Sequence, residues 1–315
     1  MNASQMALNG HEILHIIINT GSGRDDAGQV QALIGEALRA AGRQYVIHPV
    51  DDARRLAEIA RDVVARARQE GGVVVAAGGD GTLNAVAGAV LGSGVPFGIL
   101  PQGTFNYFGR VYGISQDTVQ AVQALLSARP QPVQVGLVNG RLFLVNASLG
   151  LYPQLLEDRE AYKNRFGRRR WVALLSGLVT LWRHRRQLDL TLEYGGQRLR
   201  TPTLVVGNNA LQLRQVGIDQ AEAPEQGKLL AMTLRPVGTW TLYGLLLRGL
   251  MSRLGEAEQV SSFAFERLTV GLRSRRVKVA MDGEICWLDT PLRFEVSPQP
   301  LDFLVPAEEH RLEPE

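Results

Sequence analysis

Apolar positions in the first third of the chain follow two alternating periods. Residues 13–18 (ILHIII), 44–48, 73–77 (VVVAA) and 97–100 are short apolar runs, rich in β-branched residues, that read as strands at the centre of a parallel sheet. Between them the apolar residues recur every three or four positions. They do so near 27–41, again over 51–70, where Leu56, Ile59, Ala60, Val63 and Val64 share a face, and again from Thr82 to residue 91, through Leu83, Val86, Ala87 and Val90. Strand and helix in alternation predict a mostly parallel, doubly wound αβα layer over residues 11–132. In such sheets ligands gather at the carboxyl ends of the strands.

The pattern changes after the stretch SARPQP (127–132). Short strand-like runs follow at 133–138, 141–147, 188–194, 198–206, 228–234, 264–270, 276–281, 285–288, 292–296 and 301–305, with turn dipeptides such as Asn139-Gly140, Gly195-Gly196 and Asp282-Gly283 between them. Helical periods interrupt them near 166–183 and 239–253. This predicts a second, β-rich domain over 133–306, sandwich-like or strongly curved, whose last strands pack back toward the first.

The sharpest local signal is the break inside VVVAAGGDGTLNAVAGAV (73–90). Gly78, Gly79 and Gly81 remove side chains where the chain leaves a strand, and Asp80 places a carboxylate among them. A helix starting there offers free N–H groups and the positive end of its dipole, which suits phosphate. No Gly-Lys-Ser/Thr follows and the spacing is not G-x-G-x-x-G, so the stretch is neither a Walker loop nor a dinucleotide fingerprint. A packing turn is the plain alternative.

Composition narrows the classes. Apolar residues make up 45% of the 315, enough for a full core. The single cysteine, Cys286, excludes an internal disulfide, and the five histidines show no ligand spacing. The start shows no basic region followed by an apolar stretch, and the apolar run 171–182 is too short to span a bilayer, which points to a cytoplasmic protein. The net charge of +3 conceals an asymmetry: nine basic residues and one acid lie between Arg159 and Arg186. That segment interleaves Tyr162, Phe166, Trp171 and Trp182 with arginines, a composition suited to an interfacial helix on anionic lipid. A core helix with solvated arginines is the alternative, and no nucleic-acid motif accompanies the charge.

Three stretches taken together, GGDGTLN (78–84), PQGTFNYFGR (101–110) and MDGE (281–284), resemble the diacylglycerol kinase catalytic family, which includes bacterial soluble lipid kinases and the sphingosine and ceramide kinases. The resemblance runs from IIINTGSG (16–23) to LDFLVP (301–306), and implies a nucleotide domain of the NAD kinase and phosphofructokinase type. It also implies an ATP-dependent lipid kinase acting at the inner face of the membrane. Gly78, Gly79, Asp80, Gly81, Thr82, Leu83, Asn84 and Ala85 would cradle the ATP phosphates, with Asp80 in the network that positions ATP and its Mg2+. Asn19, Thr20 and Gly21 would form the first nucleotide loop, Thr104 would bond the nucleotide, and Asn106 would brace that loop. Asp282 and Glu284 would face the lipid hydroxyl as the base motif, the sequence leaving open which of them takes the proton.

Departures from the family pattern stand at Thr20, Gly21, Ala85 and Tyr107, and near His48. An acidic stretch that holds a structural metal in several bacterial members aligns with EQGKLLA (225–231), where Gln226 and Lys228 remove the charge, so no accessory metal is expected. The implied partners are ATP, a lipid substrate and an anionic membrane surface, without nucleic acid, and a homodimer is compatible. NAD kinase-like action on a soluble substrate, or a nucleotide-binding regulator with weakened catalysis, are the competing readings.

Overall fold

The computed structural model describes residues 10–20, 27–103, 106–150, 153, 188–192, 198–215, 217–218, 220–235 and 260–313. Gly21, Thr104, the basic segment 159–187 and the helical patterns near 166–183 and 239–253 lie outside these residues. The chain forms two compact units, one of residues 1–135 with 297–315 and one of residues 136–296. The whole is mixed α/β, with sheets in both.

In the first unit, β1 (Leu14–Asn19), β2 (Tyr45–Val50), β3 (Val73–Gly78) and β4 (Phe97–Pro101) run parallel, and β18 (Leu301–Val305) and β5 (Arg129–Val133) complete a sheet of order β2-β1-β3-β4-β18-β5. β3 is buried at every position, which is why it reads as an unbroken apolar run. Helix α1 (Ala27–Ala40) packs with α5 (Thr118–Ser127), and α2 (Leu56–Glu70) with α3 (Asp80–Val90). Gly98 in β4 makes room for α5, because a Cβ there would sit 2.6 Å from Leu125 Cδ1. The stretch around SARPQP is itself strand. β5 carries Pro130 and Pro132 and lies at the sheet edge, the place where a missing N–H costs no ladder bond. Phe303 ties β18 into this unit, surrounded by the rings of Phe97, Phe108 and Tyr112 at 4.9–6.1 Å.

Among the described residues the second unit holds two six-stranded sheets. One is formed by β6 (Gly136–Val138), β7 (Arg141–Phe143), β9 (Leu188–Leu192), β10 (Arg198–Thr201), β14 (Arg267–Gly271) and β17 (Leu292–Val296), in the order β10-β9-β14-β17-β6-β7. The other is formed by β8 (Asn146–Gly150), β11 (Thr203–Gly207), β12 (Leu229–Leu234), β13 (Val260–Phe265), β15 (Arg276–Met281) and β16 (Glu284–Asp289), in the order β13-β12-β11-β8-β15-β16. Both contribute to one core, Phe143, Leu268 and Phe294 from the first meeting Leu149, Leu204, Phe265 and Val279 from the second.

Three runs expected as single strands, 141–147, 198–206 and 264–270, are each two strands. In each, the chain leaves one sheet and enters the other at a corner: between β7 and β8, at Pro202 between β10 and β11, and at Glu266 between β13 and β14. Core-facing side chains continue through a corner, so the apolar pattern does not register it. The backbone does, because the ladder is interrupted there. At Pro202, Thr201 takes over: its hydroxyl donates to Thr203 O (2.6 Å) and accepts from Leu234 N–H (3.2 Å).

Candidate active site

In the first unit the described members of the expected loops, Asn19, Thr20, residues 78–85 and Asn106, lie at and after the carboxyl ends of β1, β3 and β4. Helix α3 starts at Asp80, two residues earlier than the periodicity indicates, with Gly79 as its N-cap. The Asp80 carboxylate therefore belongs to the first helical turn, at the positive end of the dipole. Asn19 Nδ2 donates to Thr82 Oγ1 at 3.3 Å, joining the end of β1 to that turn. Gln102 N–H donates to Gly78 O at 2.8 Å, joining it to the end of β4. Gly103 is then pressed against Gly79: a Cβ on Gly103 would lie 3.0 Å from Gly79 Cα. Gly78 has no room either, since its Cβ would lie 2.6 Å from the Thr82 side chain.

Asn106 bonds back to Gly103. It is buried, adopts φ 43°, accepts from Gly103 N–H (3.2 Å) and donates to Gly103 O (2.6 Å), before helix α4 (Tyr107–Val111). These bonds tie Asn106 back to the Gly103 backbone. Thr20 turns to the end of β2, its N–H donating to Val50 O (3.0 Å) and its hydroxyl facing the Val50 carbonyl and the Asp51 carboxylate. The Leu83 side chain is fully buried and its N–H donates to Gly79 O, so it packs the helix against the sheet. Asn84 and Ala85 are half-buried on the same helix.

Asp282 and Glu284 lie in the second unit, on the turn between β15 and β16. The β7–β8 corner leaves the N–H groups of Leu144, Val145 and Asn146 without ladder partners, and the Asp282 carboxylate accepts all three, at 2.7, 2.8 and 3.0 Å. Asp282 itself has φ 48° and donates its N–H to Asn146 O (2.9 Å). Asn208 serves the remaining carbonyls of the corner, its Nδ2 donating to Leu144 O (3.0 Å) and its N–H to Val145 O (2.8 Å). Asn146 Nδ2 donates to Gln212 Oε1 (2.9 Å), and Asn209 Oδ1 accepts from Gln212 N–H (2.8 Å) at the start of helix α6 (Ala210–Gln215).

Asn146, Asn208 and Asn209 are buried and escape the sequence reading. Their signal is an amide ending an apolar run, as in VVGNN (205–209) and FLVNAS (143–148). Glu284 opens β16 beside this cluster. Glu284 is exposed to solvent, yet partial desolvation by the surrounding protein shifts its carboxyl upward, and the Asp282 charge adds to the shift.

The model of the diacylglycerol kinase catalytic domain matches residues 13–138. A Staphylococcus haemolyticus protein that carries a lipid-kinase name is 30% identical over 242 residues, covering 74% of this chain and 76% of that one. The chain belongs to the diacylglycerol kinase family. A diacylglycerol kinase of Bacillus subtilis is 32% identical over 146 residues, 45% of this kinase and 47% of its relative. The fold is shared with a crystal structure from Bacillus anthracis titled as a diacylglycerol kinase, with a TM-score of 0.67 at 17% identity over 95% of this chain and 98% of that one. The motifs GGDGTLN, PQGTFNYFGR and MDGE thus led to the family that the comparisons return, and the protein is a kinase.

Proposed function

We propose that the kinase transfers the γ-phosphate of ATP to the hydroxyl of a membrane lipid, diacylglycerol or a close relative, with Glu284 as proton acceptor and Asp282 as the brace that positions it. The observation that carries the division of labour is the corner: the Asp282 oxygens are committed to three backbone N–H groups, whereas Glu284 sits where its carboxyl favours holding a proton. A base whose proton affinity is raised toward the working pH is the better acceptor.

The first unit is read as the doubly wound nucleotide domain of the NAD kinase and phosphofructokinase type, supported by its parallel β2-β1-β3-β4 order and by the loops at the strands' carboxyl ends. The close backbone approach of Gly79 and Gly103 fits a phosphate chain, because neither glycine carries a side chain. Asp80 and a phosphate would both bring negative charge to the start of α3, a pairing that requires a cation, so Asp80 suits the magnesium that accompanies ATP. The nucleotide supplies the transferred group, and its magnesium neutralises charge on it. The protein's own part is to hold the Gly79–Ala85 backbone as a cradle, keep the 102–106 loop in shape through Asn106, and take the acceptor's proton on Glu284. As the lipid oxygen forms its bond to phosphorus, the bond to the nucleotide's leaving oxygen breaks and that proton leaves.

Peripheral association with the inner membrane surface belongs to the same reading. Among the described residues no helix is long and apolar enough to cross a membrane. The test is a labelled-ATP assay against a panel of lipids and soluble alcohols, with products resolved by mass spectrometry. Phosphate transfer to lipids that is lost in Asp80→Ala and in Glu284→Gln supports the proposal; transfer only to a soluble acceptor overturns it.

A further inference from the structure

The β15–β16 hairpin carries a feature that the phosphoryl-transfer site does not use. Its register pairs Lys278 with Trp287 and Arg276 with Asp289, which places these four on one face, while Val277, Val279, Cys286 and Leu288 on the other face pack against the core. Trp287 is 52% exposed, the most open of the large hydrophobic side chains among the described residues. Lys278 Nζ lies 5.5 Å from the centre of its ring, and Arg276 pairs with Asp289 at 3.3 Å. The chain entering the hairpin, LRSRRVK (272–278), holds four cations and no acid, and Arg273, Arg275 and Arg276 are exposed. Among the described residues β16 is an edge strand of its sheet.

We infer that this hairpin face docks on an anionic lipid bilayer. An indole is large and apolar with one polar N–H, the combination that settles at the level of lipid headgroups. Arginines and a lysine around it complement the charge of an anionic leaflet. Lys278 over the indole keeps a cation beside the inserted ring. An acidic protein partner would satisfy the arginines but gives no reason for an open tryptophan among them. On β16 Glu284 and Trp287 are three residues apart, so their side chains leave the strand on opposite faces. Docking by Trp287 therefore holds the kinase at the leaflet without itself presenting Glu284 to it. This rests on the reading of the acceptor as a membrane lipid, and it adds a docking element distinct from the basic segment 159–187.

The test compares sedimentation with vesicles of equal parts phosphatidylcholine and phosphatidylglycerol against vesicles of phosphatidylcholine alone. It uses the full chain, Trp287→Ala, and the triple variant Arg275→Gln, Arg276→Gln, Lys278→Gln. The wild type is expected to favour the anionic vesicles, with binding that weakens as salt rises. The triple variant should lose affinity by roughly a hundredfold, at about fivefold per charge, and Trp287→Ala should lose affinity without losing the salt dependence. Phosphorylation of monomeric dioctanoylglycerol should be unchanged in both variants. Equal vesicle binding by the triple variant, or no preference of the wild type for anionic vesicles, overturns the docking inference while leaving the kinase reading intact. Normal vesicle binding without phosphorylation of any lipid overturns the reading of the acceptor as a membrane lipid alone.

Discussion

Replacing Asp282 with Ala separates a brace from a base. The substitution removes the acceptor of three N–H groups, on Leu144, Val145 and Asn146, all in buried residues. A hydrogen bond to a charged group contributes about 1.5–3 kcal/mol, and a buried donor left unpaired costs about 1–3 kcal/mol. The three bonds share one carboxylate and one corner, so their losses do not add in full; about 3–5 kcal/mol is the expected destabilisation. Alanine adds a cost of its own at φ 48°, a conformation that aspartate tolerates better. For a unit of this size that corresponds to a fall in melting temperature of about 6–20 °C. The assay is calorimetry of the full chain, in which the transition of unit 136–296 should move and that of the other unit should stay. Asp282→Asn, which keeps one oxygen, should fall between wild type and Ala. If Asp282→Ala melts like the wild type yet has lost turnover, the carboxylate is acting on substrate and the brace is wrong.

Other outcomes follow from the same geometry. Glu284→Gln should keep the wild-type melt and nucleotide affinity while turnover drops by roughly two to four orders of magnitude. Because the Glu284 carboxyl is pushed upward, the acid limb of the wild-type kcat/KM profile should lie above the 4.5 of a free glutamate, and the remaining activity of the Gln variant should lack that limb. Gly103→Ala would drive a Cβ to 3.0 Å from Gly79 Cα and 2.8 Å from Asn106 Oδ1, so it should destabilise by about 1–3 kcal/mol and abolish the thermal shift given by ATP with magnesium. His15 and His48 stack with Nδ1 and Nε2 3.3 Å apart, and burial, opposed at His15 by Glu70, holds both below the free value of 6.5. The unfolded chain then takes up protons first as pH falls, so stability present above 6.5 should be lost through the folded values, and His48→Gln should flatten the loss in pH-dependent melts.

What could be read from the residues alone divides along physical lines. β1, β3 and β4 are legible because a strand buried on both faces must be apolar throughout, and the glycines between β3 and α3 announce a turn that side chains would block. The corners of the second unit are not legible, since RLFLVNASLG (141–150) keeps its core-facing residues while the chain passes from one sheet to the other. The same cause hides the roles of the two acids. MDGE presents Asp282 and Glu284 two residues apart on one turn, and nothing local distinguishes them. The distinction arises at Leu144–Asn146, more than 130 residues earlier, where a corner strips the backbone of partners and one carboxylate must restore them. The left-handed turn at Asp282 aims its side chain at that corner, and so it is consumed there. Glu284, the exposed first residue of β16, makes no such bonds to the corner, and its carboxyl is shifted upward, the direction the proposed proton acceptor calls for. On the proposed division of labour, which acid reacts is set by the backbone that the other acid satisfies.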